Sequence, residues 1–576
     1  FESRGYTAWD PTSYAFIKQN TLCIPTAFCS YTGEALDKKT PLLRSMEAIN
    51  KQALRVLKLF GSDATRVVST VGPEQEYFLV DEKVYKQRKD LIYTGRTLFG
   101  APAPKGQELE DHYFGAIKDR VAEYMADLDQ ELWKLGILAK TKHNEVAPAQ
   151  HELAPIYSIT NVATDHNQLT MELMQKVAKR HGLVCLLHEK PFEGINGSGK
   201  HNNWSISTNT GVNLIDPGET PAENAQFLLF LVAVIKAVDE YQDLMRISVA
   251  SAGNDHRLGA NEAPPAIISI FLGDELTEIL NCIEEGRVYQ GRYMGDMELG
   301  VDLLPKFPKD NTDRNRTSPF AFTGNKFEFR MLGSAASISG ANVVLNTAVA
   351  KELDEFATAL ENADDFTATL NELIRKTIKE HDRIIFNGNG YSDEWQEEAA
   401  KRGLLNLRTT VDAEKTFIQP KNVELFTKYG VYTENEMKSH YEIKLETYSK
   451  VLNIEALTTL DMARKDILPA VNKYIKQLTD ALLNKKQIGA EVGTAMEEDL
   501  IMKLSAMCDR CYAAANKLEK DLDCVPTSDV LTEAEFYKDT ILPDMDAVRA
   551  PADEMELYCD ESVWPFPTYG KLLFSV

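Results

Sequence analysis

No stretch of this chain is apolar for long enough to cross a bilayer as a helix. The longest apolar run, FLLFLVAVI from Phe227 to Ile235, falls well short of the roughly 20 residues such a helix needs. KAVDEYQDL continues it in helical register, so a buried helix is expected. Cysteine is sparse: eight in 576 residues, at 23, 29, 185, 282, 508, 511, 524 and 559. That scatter excludes a disulfide framework. Cys508 and Cys511 form a lone C-x-x-C inside the helical pattern KLSAMCDRCYAAANKLEK. With no second pair for zinc and no preceding strand for a redox motif, buried thiols are expected. Basic charge is also short, with 63 Lys and Arg against 87 Asp and Glu and a formal charge of -24. A non-specific nucleic-acid binder needs a basic footprint, so that class is excluded. A charged-then-apolar leader is lacking, so no signal peptide and a cytoplasmic location are expected. The chain opens on Phe1 rather than Met, which leads us to expect further sequence upstream.

What the chain has is 44% hydrophobic residues, enough for a large core and more than one domain. Residues 1 to about 70 read as irregular, then helical from PLLRSMEAINKQALRVLKLF. From about 70 to 385, β-like runs alternate with amphipathic helices such as IKDRVAEYMADLDQELWKLG and DHNQLTMELMQKVAKRHG, the latter closed by Gly182 as a C-cap. This mixture suggests an α+β or α/β body. From about 430 the pattern is almost purely helical, and no internal repeat is found.

Three short runs collect their polar residues on one face of a strand. In GPEQEYFLV, Glu74 and Glu76 share a face; in GKHNNWSIS, His201, Asn203, Ser205 and Ser207 oppose Trp204 and Ile206. In NKFEFRML, Lys326, Glu328 and Arg330 oppose Phe327, Phe329 and Met331. One such run is an ordinary half-exposed strand. Three, with the acids Glu145 and Glu152 of KTKHNEVAPAQHEL, point to a site, because neighbouring carboxylates repel unless a cation neutralises them. Glu145 and Glu152 stand an odd number of residues apart, which on one strand would put them on opposite faces. Pro148 lets the strand break and change register, so both are expected near Glu76, with Gln150 and His151 supporting the turn. Five carboxylates (Glu74, Glu76, Glu145, Glu152, Glu328) and one imidazole (His201) suit Mg²⁺ or Mn²⁺ rather than zinc, and are enough for two or more ions. Arg257, Arg316, Lys326 and Arg330 would meet anionic groups. Metals with phosphate-directed arginines point to phosphoryl transfer. GINGSGK, from Gly194 to Lys200, satisfies part of a P-loop, but His201 follows the lysine and a strand follows that, so a P-loop is not expected.

Together these motifs resemble the glutamine synthetases, and CSYTGEALDKKTPLLRS with HNEVAPAQHE resembles their large type III class. The resemblance implies an α+β fold, a catalytic domain built on an open barrel of antiparallel strands flanked by helices, with a helical C-terminal region. It divides the chain into a lead-in over 1–70, a catalytic domain over 71–385 and a helical region over 386–576, the family's β-grasp domain lying upstream. It implies that Glu76, Glu145 and Glu152 hold one metal and Glu74, His201 and Glu328 another. Asn196, Gly197, Arg257 and Arg330 would bind glutamate, and Ser205, Asn203, Arg316 and Lys326 the nucleotide. NDHRLGANEAP resembles the family's flap, with Glu262 deprotonating ammonium and Arg316 and Arg330 stabilising developing charge. The family's usual H-x-H is His201-Asn202-Asn203 here, a second phosphate-directed arginine falls on Ala321, and the flap's Arg-to-Glu spacing is one residue shorter than usual. The implied reaction is ATP-dependent ligation of ammonia to glutamate through a γ-glutamyl phosphate, in a homo-oligomer with shared sites, a dodecamer of two hexameric rings. A ligase of the same fold using another amine, a non-catalytic relative and a two-metal phosphohydrolase are the alternatives.

Overall fold

The computed structural model describes residues 5–291 and 317–576, and between them the backbone of Asp296–Met297 and Phe307–Pro308, which pair antiparallel. Its centre is a nine-stranded sheet organised on the long strand Val67–Asp81. Along one edge this strand pairs with Gly199–Thr208, which pairs with Phe327–Gly333, which pairs with Phe320–Phe322. Gln150–Pro155 also pairs with the long strand and carries Ala139–Asn144 outside it. These pairings are antiparallel; only Ile270–Phe271, beside Phe320–Phe322, runs parallel among the described strands of this sheet. An α+β body is therefore present, as expected.

Alternation gives the sheet two chemically different faces. Val71, Trp204, Ile206, Phe327 and Phe329 lie on one face and are fully buried in a core shared with the helices Lys39–Leu59, Ala225–Glu240 and Ser339–Glu361. Every residue from Phe227 to Ile235 is buried, which is why FLLFLVAVI shows no polar side. Asn224 starts that helix by accepting the Phe227 amide at 3.0 Å. Two amide contacts pin sheet to helix. Trp204 Nε1 donates to Asn346 Oδ1 at 3.0 Å, and Asn202 and Asn342 exchange hydrogen bonds of 3.1 Å. The opposite face, carrying Glu74, Glu76 and their neighbours, is left for chemistry.

The ends of the chain differ from expectation. Residues 5–30 are not irregular: Gly5–Trp9 pairs with Thr26–Ser30, and Phe16–Lys18 with Thr21–Cys23. These strands are short and mostly exposed, so burial imposes no visible period on them. Helix takes over earlier than 430, since the described strands end at Gly333 and Ser339–Glu361 is already helical. The helix Thr160–Arg180 does end as expected, with Gly182 at φ +65°.

A second core joins residues from Leu445 to Phe566 with Leu98 and Phe99. Two of its helical rods contain a π turn, Ala463–Ile467 and Tyr537–Ile541, and each is followed by Leu-Pro, at Pro469 and Pro543. A proline lacks the amide for its i−4 bond and crowds that carbonyl, so the turn before it widens. The short I-L-P signature thus recurs in both rods. Cys511 is buried and Cys508 half-buried in the helix Ala495–Leu522, in keeping with structural thiols. Arg96, just before Leu98 and Phe99, fastens that segment to this core, donating to both oxygens of buried Glu455 at 2.9 and 2.7 Å.

Candidate active site

The polar face of the sheet gathers its acids in two groups. In the first, register puts His201 directly opposite Glu74 and Asn203 opposite Glu328. The register with Phe327–Gly333 slips between Lys200 and Asn202, and His201 Nδ1 lies 3.2 Å from Glu74 Oε2 and 2.8 Å from Glu328 Oε1. Burial opposes charging this imidazole, but the Glu328 and Glu74 carboxylates outweigh it and raise its pKa. Asn203 Nδ2 donates to Glu74 Oε1 at 2.9 Å and to the Gly72 carbonyl at 3.0 Å, holding Glu74 in place. Arg330 Nε lies 3.2 Å from Glu328 Oε1.

The second group forms where Glu76 pairs with Glu152. The segment from Glu145 to Ala149 does not break a strand and shift its register; it reverses the chain. Ala139–Asn144 and Gln150–Pro155 are the arms of a hairpin, the Glu145 amide donates to the Gln150 carbonyl at 2.9 Å, and Ala149 adopts φ +63°. In a hairpin the odd spacing is no obstacle, since residues flanking the turn on opposite arms share a face. Gln150 and His151 do support this turn. Gln150 Nε2 donates to the Gly197 carbonyl at 3.0 Å, and His151 Nδ1 meets Asn144 Oδ1 at 3.0 Å. Burial, then the charges of Glu76 and Glu152, push the Glu145 carboxyl up to about 9. Burial raises Glu76 as well. Crowded carboxyl groups that resist ionisation, as Glu76 and Glu145 do, fit a site completed by a cation. His143, absent from the expected ligands, lies with Nδ1 3.4 Å from Glu145 Oε1 and Nε2 3.4 Å from Glu152 Oε1. Its signal was its position two residues before Glu145, on the same strand face.

Around these groups stand the organic-ligand candidates. Arg257 is buried and, among the described residues, donates to backbone carbonyls and Asn254, with the Arg330 and Leu332 carbonyls at 3.3 Å. The glycines of NGSG are required by its close approach. A Cβ on Gly197 would lie 2.4 Å from the Glu189 carbonyl and 2.9 Å from Arg257 Cγ, and one on Gly199 2.1 Å from an Arg257 nitrogen. The segment resembling a flap folds over the cavity. Asn261 and Glu262 both take left-handed backbone, φ +52° and +67°, Asn196 Nδ2 donates to Glu262 Oε2 at 2.8 Å, and Tyr391 Oη donates to the Ala263 carbonyl at 2.9 Å.

One cavity of about 240 Å³ is lined by Glu74, Glu76, Glu145, Glu152, His201 and Glu328, by Asn196, Gly197, Arg257, Glu262 and Arg330, and by Asn203 and Lys326. Ser205 does not line it; its Oγ donates to Asn213 Oδ1 at 2.9 Å and lies 3.2 Å from the Asn325 carbonyl. Arg316 lies outside the described residues. Tyr113, His143, Asn261 and Thr323 also line the cavity and were not singled out in the sequence, Tyr113 because it sits in a stretch without periodicity. A strand-built cavity with two acid clusters and buried arginines can hold divalent cations beside an anionic substrate.

The chain matches family models described as glutamine synthetase type III N terminal over residues 1–45, glutamine synthetase catalytic domain over 49–269, and glutamine synthetase C-terminal domain over 369–486. It is 52% identical to a glutamine synthetase of Butyrivibrio fibrisolvens, across 100% of this chain and 82% of that protein. It is 46% identical to a type-3 glutamine synthetase of Dictyostelium discoideum, across 100% and 80%, and 44% identical to a glutamine synthetase of Bacteroides fragilis, across the same shares. With the sheet, the two acid clusters and these likenesses across the whole of this chain in hand, the chain belongs to the glutamine synthetase family, in its type III class.

Proposed function

We propose that the two acid groups are two divalent-cation sites of a glutamate–ammonia ligase, one held by Glu76, Glu145 and Glu152 and the other by Glu74, His201 and Glu328. The enzyme makes glutamine from glutamate, ammonia and ATP and depends on a divalent metal. Hard carboxylate oxygens with one imidazole favour magnesium or manganese. The observation that carries the residue assignment is the convergence of all six groups on one cavity that also holds Arg257, Arg330 and Glu262.

The chemistry accounts for the residue types. A carboxylate does not react with ammonia until its oxygen is made a leaving group, and phosphorylation by ATP gives the γ-glutamyl phosphate that ammonia can attack. Bound cations would neutralise the phosphate oxygens. Asn196, Gly197, Arg257 and Arg330 hold glutamate, and Arg330 and Arg316 counter the charge that develops on the transferring group. Asn203, Lys326 and Arg316, with Ser205 farther along the strand face of Asn203, address the nucleotide. Glu262 takes a proton from ammonium once the flap is closed, and closure keeps water from the intermediate.

The reading extends to organisation: a lead-in over 1–70, a catalytic domain over 71–385 and a helical region over 386–576, in the cytoplasm, assembled as a dodecamer of two hexameric rings with sites shared between copies. Tyr6, Trp9, Tyr14, Ile17 and Leu22 are exposed on the N-terminal hairpins, and a surface of that composition favours contact with another copy. The described residues contain no helix long and apolar enough to cross a membrane.

The test follows γ-glutamyl hydroxamate formation from glutamate, hydroxylamine and ATP beside phosphate release. Glu145→Ala and Glu328→Ala should each lower hydroxamate formation by roughly 10²-fold or more and weaken Mn²⁺ binding measured directly by calorimetry. Wild-type Mn²⁺ binding in both variants would remove the metal assignment.

A further inference from the structure

Between Gly100 and Lys118 the chain forms neither helix nor strand. A stretch that long without regular structure, packed against a compact body, usually has a task. It lies across the second acid group. His112 Nδ1 meets the Glu145 carbonyl at 2.7 Å, and Asn144 Nδ2 donates to the His112 carbonyl at 3.1 Å. Near its middle, Gln107 makes a reciprocal pair with buried Asn196. Gln107 Nε2 donates to Asn196 Oδ1 at 2.9 Å, and the backbone N–H of Asn196 donates to Gln107 Oε1 at 2.8 Å.

The pair has a direction. A carboxamide has one donor end and one acceptor end. With its oxygen held by Gln107, Asn196 has only Nδ2 to offer on the other side, and that group donates to Glu262 Oε2 at 2.8 Å. Turning the Asn196 amide over would set donor against donor at Gln107 and oxygen against oxygen at Glu262. Gln107 therefore decides which end of Asn196 the flap carboxylate finds.

We propose that Gln107 is a positioning residue for the ligation: by fixing the Asn196 carboxamide it docks Glu262 and closes the flap, so that the glutamyl phosphate meets ammonia and not water. The inference rests on the roles given above to Asn196 and Glu262. Both fates of the intermediate break the same acyl carbon–oxygen bond and release phosphate. Attack by ammonia forms the carbon–nitrogen bond of glutamine, with a proton passing to Glu262. Attack by water restores glutamate, so ATP is spent without amide. A loosely docked flap changes the ratio of these outcomes, and a purely structural defect lowers them together.

The holoenzyme with Mg²⁺ is assayed for hydroxamate and phosphate in the same sample over a range of glutamate concentrations. Gln107→Ala loses both hydrogen bonds; Gln107→Glu keeps the acceptor, loses the donor and sets a carboxylate oxygen against Asn196 Oδ1. Both variants should raise the phosphate-to-hydroxamate ratio about tenfold, as expected for one lost, oriented hydrogen bond, with the KM for ATP and the melting temperature unchanged. A wild-type ratio in both variants overturns the proposal, and so does a parallel fall of both products with a lowered melting temperature. Asn196→Ala and Glu262→Gln are run alongside. If those two retain full hydroxamate formation, the underlying site assignment fails; if they lose it while the Gln107 variants behave as wild type, only the role of Gln107 fails.

Discussion

At the scale of single residues, the site is governed by close approach as much as by charge. Gly197 is the sharpest case, because a methyl group there meets the backbone carbonyl of Glu189, which no rotamer change can move. Gly197→Ala should therefore shift the NGSG segment and Arg257 with it, raising the KM for glutamate by at least about tenfold, while Mn²⁺ affinity stays near wild type. A KM unchanged within a factor of two in steady-state kinetics would show that the loop yields elsewhere. Asn203 shows how a departure from the family pattern is absorbed: its carboxamide supports Glu74, where the family usually has a second histidine.

At the scale of elements, the alternating faces of three strands carry the design. Those faces were legible in the sequence because burial on one side imposes a period of two, and Glu74, Glu76, His201 and Glu328 follow from that period alone. The hairpin at Glu145–Ala149 was only half legible. Pro148 marked an interruption, but the left-handed backbone that reverses the chain falls on Ala149, a residue type that gives no warning of it. Gln107 could not be found this way, since its partner is 89 positions distant and neither lies in a regular element. The same strands make a stability prediction. Trp204→Phe preserves most of the buried ring but strands the Asn346 oxygen that now accepts from Trp204 Nε1. It should cost about 1–3 kcal/mol in urea unfolding, with hydroxamate kinetics close to wild type because Trp204 faces away from the cavity.

For the molecule as a whole, acid should act through half-buried histidines held without charge. Burial, followed by the Arg96 charge, depresses His188 to about 3 and His256 well below its ordinary value. Both folded values lie below 6.5, so their contribution to stability is intact above pH 6.5 and is lost as pH falls from 6.5 toward 3. Each adds up to about 1.4 kcal/mol per pH unit to the slope. Urea unfolding at pH 7, 6 and 5 should show that slope reduced by about one proton in His188→Gln, and an unaltered slope would contradict the assignment. Both histidines lie close to Arg96, so acid is expected to loosen the surroundings of the Arg96–Glu455 pair first.

The grip of the C-terminal residues on the pocket has a consequence for biosynthesis. The Gly100 amide donates to Asp553 at 2.7 Å, Arg549 donates to the Tyr569 hydroxyl at 3.0 Å, and that hydroxyl accepts the Glu193 amide at 3.1 Å. Both the stretch that carries Gln107 and the loop leading to Asn196 are thus fastened by residues translated long after them. A nascent chain can build its sheet and gather its acids early, yet its glutamate pocket is tied down only after Tyr569 has been added, so activity waits on the helical region rather than on the sheet.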